Sequence, residues 1–202
     1  MRYRYNEVNL HTHSYYCRHG KGEIVDYVNV AKAKGLLKVL GFSEHAPLPD
    51  RTLDYGTRMA YSELDDYERD VKRADGRDGI KVLLGAECDW IEDEAGYYRD
   101  ELLGERGYSY LLGSVHSMVS PVTGLDTYIS RIGIAFRPML PEYVRKYTKM
   151  LSSGLFLYGC HPDLYMADYR MWDENAKAAA KDIGECAKDC GVPLEMNDNG
   201  LR

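Results

Sequence analysis

Six short apolar segments recur along the chain, and a polar or amphipathic stretch separates each from the next. Their length and content predict β-strands, and several are bounded by glycine, as buried parallel strands tend to be. The predicted strands are Glu7–His13, Lys38–Ser43, Lys81–Ala86, Tyr108–Val115, Leu155–Cys160 and Val192–Met196.

The stretches between these strands predict helices. In the first of them, Ile24, Val28 and Ala31 share one face at helical spacing, and Gly35 follows as a stop. The alternation of strand and helix, ending on a sixth strand, implies a parallel α/β fold, either an open sheet or a barrel. The predicted helices are Glu23–Lys34, Tyr61–Ala74, Gly96–Glu105, Pro141–Ser152 and Asp173–Asp189.

The bulk properties narrow the class of protein. A chain of 202 residues can bury one large hydrophobic core. A net charge of −6 argues against a nucleic-acid partner, which usually meets a basic face. No strand is followed by a GxGxxG or GxxxxGK sequence, which argues against Rossmann and P-loop nucleotide sites.

The same properties predict a location. No apolar run approaches the roughly 20 residues that span a bilayer, so no membrane association is expected. Residues 1–10 lack the apolar core of a signal peptide, and the five cysteines are scattered rather than arranged as a disulfide framework. We therefore expect a cytoplasmic protein.

All histidines of the chain lie at or just after the ends of predicted strands, together with one glutamate. The carboxyl ends of parallel strands share one edge of a sheet, where sites form. His11 and His13 are two apart on one strand, so both imidazoles can reach one ion. Imidazoles with a carboxylate suit zinc, iron or manganese. The candidate metal ligands are His11, His13, His19, His45, Glu87, His116 and His161.

These residues stand in stretches that resemble the polymerase-and-histidinol-phosphatase (PHP) family of metal-dependent phosphoesterases, and within it the histidinol-phosphate phosphatase branch. The resemblance runs from residue 9 to the C-terminus. It implies a distorted parallel β/α barrel, here as a single PHP domain over residues 1–202. The stretches are NLHTHSYYCRHGKGEIVDYVNVAKAKG, GFSEHAPLP, LLGAECDWI, LLGSVHSM, YGCHPDLY and PLEMNDNGLR.

The resemblance also implies a centre of two or three divalent ions (zinc, manganese or iron). Carried over residue by residue, it assigns His11, His13 and Glu87 to the first ion. It assigns Glu87, as a bridge, with His116 and His161 to the second. The third ion would bind to His19 and His45.

The chain departs from the family pattern at one place. Family members carry an Asp-x-His pair on a later strand, and no such pair follows His161. The first ion is therefore short of a carboxylate and the third of an imidazole, and the barrel lacks its last strand. We favour truncation as the explanation; a homo-oligomer or swapped segment that completes the barrel, or a member with fewer metals, are the alternatives.

The reaction implied by the resemblance is hydrolysis of a small phosphate monoester, L-histidinol phosphate, to L-histidinol and phosphate. His45, Glu87 and His116 are assigned catalytic roles, and either His45 or a metal-bound water would protonate the leaving group. Arginines near the strand ends would bind the phosphate. The candidates are Arg202, in the family's Asn-x-x-Gly-Leu-Arg stretch, and Arg131 and Arg137.

Two other functions stay open from the sequence. One is a PHP phosphoesterase with another substrate, such as a nucleotide, a phosphotyrosine peptide or a nucleic-acid end. The other is an inactive, truncated metal-binding domain.

The sequence also predicts roles for residues beside the ligands. Glu44 and Asp163 are expected to orient His45 and His161. Packing roles are expected for the cysteines, with Cys17, Cys88 and Cys160 facing away from the cleft and Cys186 and Cys190 buried on a helix.

Overall fold

The computed structural model describes residues 3–49, 56–76 and 79–196. Five strands form one sheet in the order β1-β2-β3-β4-β7, and β5 and β6 form an antiparallel hairpin. The pairings of β1 with β2, β2 with β3 and β4 with β7 are parallel. The strands are β1 Val8–Asn9, β2 Val39–His45, β3 Lys81–Asp89, β4 Tyr110–Ser114, β5 Ser117–Val119, β6 Asp126–Tyr128 and β7 Tyr158–Gly159.

Helices follow the strands as the alternation predicts, which confirms the parallel α/β class. The α-helices are α1 Ile24–Lys34, α2 Leu64–Ala74, α3 Leu140–Ser152, α4 Met166–Tyr169 and α5 Glu174–Cys190. The predicted helix over Gly96–Glu105 is a π-helix, Tyr97–Glu105. Among the described residues, no helix has the length and apolarity needed to cross a membrane.

Three features differ from the predicted elements. Strand β1 ends at Asn9 rather than His13. Beyond it, the N–H of Thr12 donates to the Ser43 hydroxyl, while the Thr12 carbonyl accepts from the backbone N–H of Ser43. The predicted strand Val192–Met196 is reduced to a bridge between Gly159 and Leu194. The hairpin of β5 and β6 was not predicted, since its strands are only three residues long.

Contacts divide the chain into two compact units. The first comprises residues 1–87 and 102–111, and the second comprises 88–101 and 112–202. The expectation of one PHP domain over residues 1–202 stays a prediction.

In the first unit, Tyr110 anchors the segment that carries the histidines. Its hydroxyl donates its single proton to the carbonyl of Leu10, at 2.7 Å, and the carbonyl of Phe42 lies 3.1 Å from the same oxygen. The ring lies so close to Gly41 and Gly85 that a Cβ at either position would overlap it. Tyr110 thus fixes the chain at Leu10, immediately before His11.

In the second unit, helix α3 packs against α5 and anchors β7. Tyr147 is fully buried, and its hydroxyl donates to the carbonyl of Cys160 at 2.7 Å. A Cβ at Gly159 would lie 2.6 Å from that hydroxyl, so the close approach requires glycine. These contacts fix the chain immediately before His161.

Candidate metal centre

In the first unit, a carboxylate oxygen lies at the centre of several imidazoles. Glu87, on β3, is 1% exposed, and its Oε2 lies 3.2 Å from Nε2 of His11 and 3.2 Å from Nε2 of His13. The two Nε2 atoms are 3.1 Å apart. His45, at the end of β2, places Nδ1 3.2 Å from the same oxygen.

These separations test whether the residues fit a metal ion. Ligand atoms at about 2.0–2.1 Å from a tetrahedral zinc ion stand about 3.3 Å apart. The nitrogens of His11 and His13 and the oxygen of Glu87 are mutually 3.1–3.2 Å apart. The predicted donors of the first ion therefore have the spacing of a shared coordination sphere.

A second buried carboxylate supports this cluster. Glu44 is fully buried, and its Oε1 accepts hydrogen bonds from the backbone N–H and the hydroxyl of Ser14, both at 2.6 Å. Its Oε2 lies 3.8 Å from Nδ1 of His13. Glu44, expected from the sequence to orient His45, thus places its carboxylate beside His13.

The carboxylates give this unit a preference for positive charge. Burial lowers the pKa of His13, but hydrogen bonds with Cys17, Glu44 and Glu87 outweigh it and raise the pKa to about 11. A site that holds a proton this strongly is electrostatically suited to a cation.

His19 lies beside a cysteine that the sequence analysis assigned to packing. Its Nε2 is 3.8 Å from Sγ of Cys17, and its ring centroid is 5.2 Å from that of His45. The prediction that Cys17 faces away from the histidines is therefore wrong. Burial raises the pKa of the Cys17 thiol, but hydrogen bonds with His13 and His19 lower it to about 7.

In the second unit, Asp89 holds His116, a contact that the sequence did not indicate. Oδ1 of Asp89 accepts from the backbone N–H of His116 at 2.9 Å and lies 2.8 Å from Nδ1 of its ring. With Nδ1 held by a carboxylate, Nε2 is the nitrogen left for a ligand role. A carboxylate two residues after Glu87 was the signal that could have found it.

His161 lies next to His116, with ring centroids 4.8 Å apart. Its backbone adopts φ 29°, and its N–H donates to Oε2 of Glu195 at 3.0 Å. Two predicted ligands of the second ion thus lie together in this unit. The bridge from Glu87 to that ion stays a prediction.

The predicted phosphate-binding arginines differ in their surroundings. Arg131 and Arg137 are both exposed. The guanidinium of Arg131 lies 5.9 Å from the ring centroid of Tyr128, which stacks on His116 at 5.6 Å. Arg137 lies in the 3₁₀-helix Gly133–Met139. Arg202 lies outside the described residues.

A protein-family model identifies the family of this chain. The model of the PHP domain matches residues 9–199, which is nearly the whole chain. The chain belongs to the PHP domain family. The family resemblance inferred from the strand-end motifs is thereby confirmed.

A curated relative of this PHP chain comes from Schizosaccharomyces pombe (strain 972 / ATCC 24843). It is named "Probable histidinol-phosphatase" and is 27% identical over 159 residues. The match covers 74% of this chain and 48% of the relative, so it spans about half of the length of that protein.

Solved structures share the fold of this PHP chain. A Listeria monocytogenes protein provisionally assigned as a histidinol phosphatase gives a TM-score of 0.74 at 17% identity, covering 93% of this chain and 80% of that one. A histidinol phosphate phosphatase from Lactococcus lactis subsp. lactis Il1403, complexed with zinc, L-histidinol and phosphate, gives 0.72 at 17% identity. That match covers 95% of this chain and 73% of the other. The PHP-type fold inferred from the sequence is confirmed.

Proposed function

We propose that this PHP chain is a metal-dependent phosphatase that hydrolyses a small phosphate monoester. The observation that carries the proposal is the Glu87 carboxylate with nitrogens of His11, His13 and His45 each 3.2 Å from one oxygen. Family membership supports the same reaction class.

L-Histidinol phosphate is the proposed substrate, with L-histidinol and phosphate as products. Two findings support this choice. The curated relative is named as a histidinol-phosphatase, and the Lactococcus lactis protein was solved with L-histidinol and phosphate. A net charge of −6 and a pI near 5.5 favour a small substrate over nucleic acid. We also propose a cytoplasmic location.

Zinc, manganese or iron would be held at two or three positions. His11, His13 and Glu87 are the proposed ligands of one ion, His116 and His161 with Glu87 of another, and His19 and His45 of a third. When bound, such ions lower the pKa of water and neutralise charge on the phosphoryl group.

The chain's own residues supply orientation and protons. Asp89 holds Nδ1 of His116, so that ring keeps its Nε2 for the centre, and the Glu44 carboxylate lies 3.8 Å from Nδ1 of His13. His45 is buried at 6% exposure and is one candidate proton donor to the leaving alkoxide, with a metal-bound water as the other. In the donor role, His45 would keep its ring proton and leave the third ion to His19. Such a donor must reach the leaving oxygen within hydrogen-bond distance.

Of the two candidate arginines within the described residues, Arg131 has the contacts that better support binding of the phosphate. Its contact with Tyr128 links it to the ring that stacks on His116. Asp168 holds the loop, because its Oδ2 accepts from the backbone N–H groups of Ser130, at 2.8 Å, and Ile132, at 3.2 Å. Arg137 and Arg202 are the other proposed phosphate ligands.

The experiment is phosphate release from a panel of monoesters by the metal-free protein supplied with zinc, manganese or iron. The panel contains L-histidinol phosphate, a nucleoside monophosphate and a phosphotyrosine peptide. We expect turnover of L-histidinol phosphate to exceed that of the others. Equal or faster turnover of another ester would exclude L-histidinol phosphate as the preferred substrate, whereas the proposed phosphatase activity would stand.

A matched pair of glutamate variants tests the metal centre. Glu87→Gln removes the central carboxylate and should reduce turnover by more than about 100-fold, because even partners outside the coordination sphere contribute about 10–100-fold. Glu105→Gln, at an exposed position, should match the wild type. Full activity in Glu87→Gln would exclude the proposed centre.

A further inference from the structure

A sulfur atom lies among the proposed imidazole ligands of the first unit. The side chain of Cys17 is fully buried, and Sγ lies 3.8 Å from Nε2 of His19. The donor atoms of His13, Cys17 and His19 all lie within 4.8 Å of one another.

The hydrogen bonding of His19 directs one nitrogen to that sulfur. Its Nδ1 lies 3.1 Å from the carbonyl oxygen of Cys17, so Nδ1 carries the proton and donates. The lone pair of the neutral ring is then on Nε2, the atom next to Sγ. A histidine held by a backbone carbonyl in this way is oriented as a metal ligand.

The separation of the two atoms suits a common ion. Zinc binds thiolate sulfur at about 2.3 Å and imidazole nitrogen at about 2.0–2.1 Å, so two such ligands at a tetrahedral angle stand about 3.6 Å apart. The Sγ to Nε2 distance is 3.8 Å.

The loop that contains Cys17 and His19 holds the Cys17 sulfur in a fixed position. Arg18, between the two residues, adopts a left-handed φ of 68°, and the backbone N–H of Gly20 donates to Sγ at 3.2 Å. A Cβ on Gly20 would overlap the carbonyl oxygens of His13 and Ser14, so glycine is required there. The N–H···S bond favours a negatively charged sulfur.

We propose that Cys17 is a metal ligand, whose thiolate binds together with Nε2 of His19 the ion otherwise assigned to His19 and His45. In the metal-free chain the Cys17 thiol donates to the carbonyl of Ser14 at 3.0 Å. Ion binding replaces the S–H bond by a sulfur–metal bond and releases that proton to solvent. The inference rests on the proposed metal-dependent function.

A thiolate ligand makes this position selective. Soft sulfur favours zinc over manganese, whereas histidine and carboxylate ligands accept both. The third position is therefore proposed as a zinc site, even where manganese occupies the other positions.

Cobalt(II) substitution of the full chain tests the assignment. Cobalt bound to histidine and carboxylate absorbs in the visible, and a cobalt–thiolate bond adds a charge-transfer band in the near ultraviolet. We expect both features in the wild type and loss of the near-ultraviolet band in Cys17→Ser. The double variant Cys186→Ser, Cys190→Ser is the control, because these two partly or fully exposed thiols lie 3.9 Å apart and could themselves bind cobalt.

The outcomes separate the two proposals. If the wild type shows visible bands without the near-ultraviolet band, Cys17 is not a ligand and the histidine centre stands. The same conclusion follows if the near-ultraviolet band survives in Cys17→Ser or disappears in the double variant. Absence of all cobalt bands together with absence of phosphatase activity overturns both. Since the wild-type spectrum alone can refute the thiolate, the test holds even if Cys17→Ser fails to fold.

Discussion

Asp89 places one carboxylate oxygen within reach of both the backbone and the ring of His116. Asp89 is 3% exposed, so water screens the attraction between its carboxylate and the histidine only weakly. Replacement by asparagine keeps the shape and removes the charge that fixes the ring. We expect Asp89→Asn to bind metal and turn over substrate about 10–100-fold less well.

Titration calorimetry with zinc and the phosphatase assay measure this effect. Asp93→Asn, at an exposed position of the same unit, is the control and should behave as the wild type. Unchanged zinc affinity in Asp89→Asn would mean that His116 does not depend on this carboxylate.

The histidine cluster also predicts a pH dependence of the metal-free protein. The pKa of His13 rises from 6.5 to about 11 on folding, so its protonated ring stabilises the folded state. That contribution is complete below pH 6.5 and is lost as pH rises toward 11. We expect the free energy of unfolding of wild type, relative to His13→Gln, to decrease across this range.

Urea unfolding in the presence of a chelator, at several pH values, gives that difference. A difference that stays constant or increases with pH would contradict a proton held by His13. Because metal binding must displace the same proton, apparent zinc affinity should rise with pH, by up to about tenfold per unit.

At the scale of elements, two hydroxyl groups hold the segment from β1 to His13, together with the backbone hydrogen bond from Ser43 to Thr12. Tyr110 holds Leu10, and Ser43 holds Thr12 through its side chain. Loss of the Tyr110 hydroxyl leaves the carbonyl of Leu10 without this donor, which costs about 1–3 kcal/mol. We expect Tyr110→Phe to show this destabilisation and, since His11 follows Leu10, a several-fold weaker zinc affinity.

Tyr67→Phe is the matched control for that variant. The Tyr67 hydroxyl donates to the carbonyl of Gly85 at 2.8 Å, and Tyr67 is buried, as Tyr110 is. Its loss should reduce stability by a similar amount and leave zinc affinity closer to wild type. Equal zinc affinity in both variants would show that Tyr110 contributes to stability alone.

The secondary-structure elements show which features of the fold and site can be predicted from local sequence. The alternation of strands and helices, and the histidines at strand ends, follow from spacing within a few residues, so the sequence predicted them. The hydroxyl contact of Tyr110 joins positions 100 residues apart, and no local pattern encodes it. The same holds for Glu44 with Ser14, which lie 30 residues apart. The loop at Cys17 was misjudged because strand periodicity was extended beyond Asn9, where β1 ends.

At the scale of the whole molecule, a bound ion should be a source of stability. The first unit holds Glu44 and Glu87 almost completely buried, and a buried carboxylate costs free energy until a cation compensates it. An ion that binds only the folded chain adds about 2.7 kcal/mol at 100 times its dissociation constant. For a chain of 202 residues this corresponds to a rise in melting temperature of about 5–10 °C.

Differential scanning calorimetry of the protein with chelator and with zinc measures this gain. Glu87→Gln should melt at nearly the same temperature in both conditions, because it lacks the oxygen shared by His11, His13 and His45. Glu105→Gln should keep the full rise. If the wild type melted equally with and without zinc, the buried carboxylates would be compensated by protons such as that on His13 rather than by metal.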